Sequence, residues 1–359
     1  MNKETMKAAR YYGAKDLRVE ETPIPSANKK QIKIEVKYSG ICGSDLHEYC
    51  AGPIVIPINK PYPLTGHCGC TTMGHEFSGV VVQVGDDLNP DNIKIGDRVV
   101  VEPMFRNPDS FFTKRGEFNL SEPGGGLGVT ANGGFAKYVV AEDYMVHKIP
   151  DSMTFEQGAL VEPAAVVVYA VKNSGLQLGE TCVIFGAGPI GLLCLLAAKA
   201  VGAARTIVVD IAEKRLEKAR ELGATLVIDG KEENIAQKIK SYTDGLGVNV
   251  YFDAAGVQST FTTGIASLRK GGKAVLVAVF EKPVTLNATE LVFRQITVQG
   301  TLGYRHIFPE VIRLIESKQM DVERIITKKI KLDDIVKDGF EALLSNPSEI
   351  KILIDIDAN

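Results

Sequence analysis

The run TCVIF at residues 181–185 leads directly into Gly186-Ala187-Gly188-Pro189-Ile190-Gly191, and this strand, glycine turn and helix start constrain the chain more than any other stretch. Gly186 permits the tight turn, Gly188 lets the backbone approach a pyrophosphate, and Gly191 allows the helix to pack on its strand while its first amides face the phosphates. Pro189 and Ile190 open that helix. A glycine-rich turn without a ligand is the plainer alternative. Against it stands Asp210, at the end of TIVVD and roughly twenty residues beyond the glycines, where a carboxylate accepts hydrogen bonds from an adenosine ribose. Its negative charge repels a 2′-phosphate, so NAD is the expected cofactor, and Arg215 keeps NADP open.

Around this loop the pattern alternates. Apolar strand candidates at 181–185, 206–210, 224–229, 248–253, 273–280 and 296–302 are separated by helical stretches such as 212–222, which describes an open, doubly wound parallel sheet. Residues 1 to about 155 read differently, as short strands between turns: IKIEVKY at 32–38 alternates, and 77–84, 97–102 and 135–140 are further β-rich runs. This half is expected to be all-β, with a proline-dense ordered loop at 53–63. Helices at 309–318 and 332–344 and a strand at 350–356 are expected to return to the first domain. The domains are then 1–160, completed by 304–359, and 161–303. At 359 residues the chain is long enough for two, since single cores stop growing at roughly 250–300 residues.

The stretch Gly40-Ile41-Cys42-Gly43-Ser44-Asp45-Leu46-His47, with Gly74-His75-Glu76 further on, carries the chemistry of the first half. A cysteine after a strand is ordinarily a small buried hydrophobe, and a lone histidine is ordinarily satisfied locally. Grouped, these residues read otherwise. A catalytic zinc takes about three protein ligands and leaves one position open. Cys42, His75 and a carboxylate supply that set, and Ser44 and His47 form the start and end of a proton path. With 24% charged residues, a net charge of −3 and no Lys/Arg run longer than two, the chain offers no surface for a nucleic-acid backbone. The amino-terminal residues lack the apolar core of an export signal, and the longest apolar run, 190–198, is too short to span a bilayer. A cytoplasmic protein is expected, with its six cysteines (42, 50, 68, 70, 182 and 194) as free thiols or metal ligands.

The order GICGSDLH, GHEFSGVV, GDRVVVEP, GGFAKYVV, LVEPAAV and GAGPIG resembles the zinc-dependent medium-chain dehydrogenase family over almost the whole chain. Within it, HEYCAGPIVIP and VEPAAV are most similar to the group of bacterial 2,3-butanediol dehydrogenases and their sorbitol dehydrogenase relatives. The resemblance implies α/β plus all-β architecture: a GroES-like catalytic domain with an inserted Rossmann domain and a cleft between them. It implies zinc on Cys42 and His75, with Glu76 or Glu162 as the third protein ligand. It also implies that Ser44 takes the substrate proton, that His47 relays it, and that Asp45 orients the site. A small diol or ketone is the implied substrate, 2,3-butanediol and acetoin foremost, with sorbitol or other polyols and threonine as alternatives. A homodimer or homotetramer is the implied assembly. A zinc-free quinone reductase or NAD-binding relative is the reading from another class, and such relatives lack the Cys and His that this chain keeps.

Many members of the family hold a second, structural zinc on four cysteines. The corresponding positions here are Asn107, Ser110, Thr113 and Ser121, so one zinc per chain is expected, with the 104–122 lobe held by Phe105, Phe111, Phe112 and Phe118. The motif His67-Cys68-Gly69-Cys70, with Cys50, is the remaining candidate for a further metal. Ligands at i and i+2 rarely reach one tetrahedral ion without strain, so free thiols are the plainer reading.

Overall fold

The computed structural model describes residues 4–89 and 91–358. The chain begins with β1 (Thr5–Gly13), β2 (Asp16–Pro23), β3 (Gln31–Gly40), helix α1 (Gly43–Ala51), β4 (Thr71–Thr72), β5 (Glu76–Val84), β6 (Arg98–Val101), β7 (Tyr138–Glu142) and β8 (Val146–Lys148). It continues through β9 (Thr181–Phe185), β10 (Arg205–Asp210), β11 (Leu226–Asp229), β12 (Val248–Asp253), β13 (Leu268–Leu276) and β14 (Thr297–Gly300), with a helix between each consecutive pair of these strands, before ending in β15 (Ile326–Lys331) and β16 (Lys351–Asp355). Two compact units result: Met1–Glu162 with Phe308–Glu316 and Ile326–Asn359, and Pro163–Ile307 with Ser317–Ile325.

In the first unit a seven-stranded sheet runs β15-β16-β3-β5-β6-β8, with β7 also paired to β3, beside a three-stranded sheet β2-β1-β4. The alternation of IKIEVKY places Ile32, Ile34 and Val36 in one fully buried row with Phe77, Val99 and Val101. On another core, Tyr11, Ile41, Tyr49 and Phe135 pack with Phe340, Ile352 and Ile354 from the end of the chain. The antiparallel register sets Gly40 opposite both Glu76 and Leu353, so the carboxyl-terminal strand lies beside the start of the GICGSDLH stretch.

The second unit is a six-stranded parallel sheet in the order β11-β10-β9-β12-β13-β14. The order reverses at β9, the strand that feeds the glycine turn, which is where such sheets leave a crevice at their carboxyl ends. No helix among the described residues is long and apolar enough to cross a membrane.

Four expectations change. The first half is not all-β, since Gly43–Ala51 is a helix and shorter helical turns occur at Phe111–Lys114 and Phe155–Ala159. The nine-residue α1 buries Asp45 and Glu48 beside Tyr49, so its inward face is mostly polar and shows no apolar period. The strand expected at 135–140 begins at Tyr138, and the one expected at 273–280 occupies Leu268–Leu276. The segment 332–344 is a short tight turn, a wide-turn helix over Ile335–Glu341 and a last α-helical turn. The proline-dense loop is ordered by Glu48, whose carboxylate accepts the amides of Ile54 (2.9 Å), Val55 (2.5 Å) and Ile56 (3.2 Å).

Candidate active site

Cys42 leaves β3 in an extended conformation and caps α1, held there because its amide donates to Asp45 Oδ2 at 2.9 Å. The same helix presents Ser44, Asp45 and His47 two to five residues on, with Ser44 and His47 exposed and Asp45 buried. His75 lies just ahead of β5 and Glu76 is that strand's first residue, so the strand pairing sets them against the end of β3. A thiol, an imidazole and a carboxylate, those of Cys42, His75 and Glu76, thereby converge with ligand atoms all within 4.8 Å of one another. It is the only such group among the described residues.

These donors fit zinc. Sulfur, nitrogen and oxygen from Cys, His and Glu are its ordinary ligands, and on the buried His75 ring the nitrogen that faces Asp45 is Nδ1. Asp45 Oδ1 stands 3.6 Å from that nitrogen, and Ser44 Oγ lies 3.3 Å from Nε2. Burial disfavours a charged His75 ring, but the charges of Asp45 and Cys42 outweigh it and raise its pKa well above the usual histidine value. A site that draws a proton onto His75 in this way also draws a cation. A carboxylate beside the non-ligating ring nitrogen is the usual means of fixing a metal-bound histidine.

Sequence reasoning missed Lys351. It is 2% exposed, donates from Nζ to Ile41 O at 2.9 Å and forms a buried ion pair with Glu76 Oε2. Burial opposes its charge, but Glu76, and more weakly Cys42 and Glu162, raise its pKa above the ordinary lysine value. Lys351 therefore ties together the strand end before Cys42 and the carboxylate after His75. Gly40 is required there, because a Cβ would collide with Glu76 Oε2 and lie 3.1 Å from Lys351 Cε. Glu162, buried in the first turn of the helix Val161–Ser174, is not in the converging trio, although its charge reaches Lys351. A lone lysine in a carboxyl-terminal strand gives no signal of such a role.

In the second unit Gly186 adopts φ +97°, and a Cβ on Gly191 would run into Gly186 O. Gly188 caps the helix Pro189–Ala200, with Pro189 in its first turn. Ile190 follows it in the same turn. Asp210 ends β10 and is nearly buried; its Oδ2 accepts the Ala187 amide at 2.6 Å and its Oδ1 the Ala212 amide at 2.8 Å. The carboxylate thus shapes the glycine loop as well as facing a cavity of about 430 Å³ lined by Gly186, Gly188, Asp210, Arg215, Ala254 and Thr260, among others. Asp253 is a further residue without a sequence signal. It ends β12, accepts the amides of Ala255 (2.9 Å) and Gly256 (2.8 Å) and the Thr260 hydroxyl (3.0 Å), and so fixes the opposite rim.

The other metal candidates do not converge. His67 Nε2 meets Thr71 Oγ1 at 2.8 Å, Cys68 Sγ points to Ile58 O at 3.5 Å, and Cys70 Sγ accepts from Arg10. In the lobe, Ser121 Oγ accepts the Asn107 amide at 3.0 Å, Ser110 Oγ accepts the Glu122 amide at 3.2 Å, and Asn107 Nδ2 donates to Glu122 O at 2.6 Å. Of the four phenylalanines expected to pack there, Phe118 is buried but Phe111 is 66% exposed. Arg106 does the work assigned to it instead. Its guanidinium sits 3.8 Å from the Phe118 ring centre and 4.6 Å from that of Tyr144, and it pairs with the buried Glu102 at 3.1 Å.

Residues 28–151 match the family model of the alcohol dehydrogenase GroES-like domain, and residues 189–317 match that of zinc-binding dehydrogenases. The chain belongs to the zinc-dependent medium-chain dehydrogenase family. It is 44% identical to the (R,R)-butanediol dehydrogenase of Bacillus subtilis (strain 168) over 350 residues, 97% of this chain and 99% of that one. The sorbitol dehydrogenase of the same organism is 33% identical over 98% of this chain and 97% of its own length. The crystal structure of 2R,3R-butanediol dehydrogenase from Bacillus subtilis superposes with a TM-score of 0.93, covering 98% of this chain and 100% of that one. The protein is an NAD-linked, zinc-dependent oxidoreductase acting on CH–OH groups of small molecules.

Proposed function

We propose that the protein interconverts 2,3-butanediol and acetoin, with preference for the R-configured carbinol. The observation that carries this reading is the 44% identity to an (R,R)-butanediol dehydrogenase over 97% of the chain. When bound, zinc supplies a Lewis acid that polarises the substrate oxygen, and NAD supplies the hydride acceptor.

In this reading Cys42 and His75 hold the metal, and Glu76 and Glu162 compete for its third protein position. Glu76 has the nearer donor, but Lys351 restrains one of its oxygens. Ser44 takes the hydroxyl proton and His47, one helical turn further along α1, passes it to water. Asp45 keeps the His75 ring oriented. In the second unit the amides at the start of the helix Pro189–Ala200 bind the pyrophosphate. Asp210 accepts the ribose hydroxyls and disfavours a 2′-phosphate, so NAD is used in preference to NADP.

The enzyme works as a homodimer or homotetramer in the cytoplasm. Support for association comes from β14, an edge strand next to the exposed Val292 (76%) and Phe293 (78%). Six free thiols suit a reducing compartment. Analytical ultracentrifugation checks the first point, and a monomer at assay concentration refutes it.

A substrate panel tests the central reading. NAD reduction is followed with the three butanediol stereoisomers, sorbitol and threonine. The highest kcat/KM is expected for the R,R-diol, and a higher value for sorbitol or threonine overturns the assignment.

A further inference from the structure

The motif His67-Cys68-Gly69-Cys70 has no part in the chemistry above, yet one of its sulfurs is specifically held. Arg10 stands in β1 opposite Thr72 of β4, so strand register carries its side chain to the residue just before β4. Its Nη2 donates to Cys70 Sγ at 2.6 Å and to Cys70 O at 2.9 Å, and its Nη1 donates to Thr22 Oγ1 at 2.9 Å. Three acceptors on two chain segments fix the guanidinium, with its charge against one sulfur. Tyr12 lies on the same side; its hydroxyl is pushed up to about 12, first by its hydrogen bond to Glu20 and then by Cys70.

Cys70 is half-buried and Cys68 is exposed, so a small reagent can reach the pair from solvent. Cα atoms two residues apart are at most about 7.2 Å apart. A turn therefore brings them within the roughly 4.4–6.8 Å that a disulfide spans. Gly69 supplies that turn, with φ +96° and open space around its Cβ position.

The geometry points to Cys70 and Cys68 as a reactive dithiol that exchanges with low-molecular-weight disulfides, Cys70 attacking beside Arg10 and Cys68 resolving. In the first step the Cys70 sulfur, as thiolate, attacks one sulfur of R–S–S–R. A Cys70–S bond forms, the R–S–S–R bond breaks, and one RS⁻ leaves to take a proton from water. In the second step the deprotonated Cys68 sulfur attacks the Cys70 sulfur, releasing the other RS⁻ and closing the Cys68–Cys70 disulfide. Two protein thiols are oxidised and one small disulfide is reduced to two thiols. Arg10 compensates the negative charge on the attacking sulfur.

The test exposes the zinc-loaded protein to glutathione disulfide, with peptide mass spectrometry read over time and exposed Cys50 as the internal reference. Cys70 is expected to react at least about tenfold faster than Cys50 and to end joined to Cys68. Cys68→Ser is expected to stop at a glutathione adduct on Cys70. Arg10→Met is expected to slow Cys70 about tenfold and leave Cys50 unchanged, with Arg10→Lys between the two. Cys70 reacting no faster than Cys50, or a product joining Cys68 to Cys50, overturns the inference. The wild-type comparison decides the matter even if the Arg10 variants fail to fold.

Discussion

The glycine loop of the second unit is made from consecutive residues, whereas the candidate metal donors of the first unit, Cys42 and the adjacent His75 and Glu76, come from two places that only strand register brings together. Gly186 to Gly191 act through backbone conformation, which a short sequence specifies by itself. Cys42, His75 and Glu76 act through side chains whose meeting depends on β3 pairing with β5 and on β16 closing the far side. The difference predicts how each site fails. A ligand change should silence one site and leave the other intact, and changes in supporting residues should do damage in proportion to their burial.

The largest effect is expected from the donors. Cys42→Ala and His75→Ala should each reduce turnover below detection and lose zinc, while NAD still binds, because the loop is built within the other unit. Zinc content, alcohol oxidation and NADH fluorescence titration measure the three quantities. Loss of NAD affinity in either variant would break the comparison.

Next comes Lys351→Met, which leaves the buried Glu76 carboxylate without its cation. Breaking such a pair from one side costs roughly 3–5 kcal/mol. Urea denaturation of the zinc-free protein should show this loss, and Glu76→Gln added to Lys351→Met should recover a large part of it. A single variant as stable as wild type would mean that Lys351 does not anchor the site.

What was legible follows the same division. Alternating IKIEVKY, the strand before the glycines and Asp210 at its strand end are local patterns, and each appears where its period or spacing places it. Cys42 and His75 stood out as candidate ligands because cysteine and histidine are scarce in this chain, six and five among 359 residues. Their supports did not: Lys351 lies 275 positions from Glu76, and Asp253 resembles any other strand-ending aspartate. The helical state of GSDLHEYCA was hidden because Asp45 and Glu48 face inward for polar reasons, one toward the Cys42 amide and the other toward the 54–56 loop. Arg106 escaped notice because its two ring partners, Phe118 and Tyr144, are brought to it only by the fold.

Asp210→Gly should weaken NAD by ~1.5–3 kcal/mol, the range for hydrogen bonds to charged groups, and relax discrimination against NADP. The Ala187 amide also loses its acceptor, so the glycine loop should loosen at the same time. Unchanged NAD affinity would contradict the place given to Asp210 in the cofactor site.

The smallest effect is expected in the lobe around residues 104–122. Where the family resemblance implies thiolates, Ser110 and Ser121 here accept backbone amides and Asn107 donates to a carbonyl, so these side chains already satisfy neighbouring main chain. Hydroxyl and amide oxygens are weak zinc ligands, and binding a metal would require breaking those bonds. The buried side of the lobe carries instead the Arg106 guanidinium, set against two rings and paired with Glu102. Arg106→Met should cost about 1–2 kcal/mol through lost cation–π and ion-pair contacts. It should leave the zinc content at one per chain, because the metal is held elsewhere. Elemental analysis of wild type and variant decides this: two zinc ions per wild-type chain, with one lost in Arg106→Met, would show that the lobe binds metal after all.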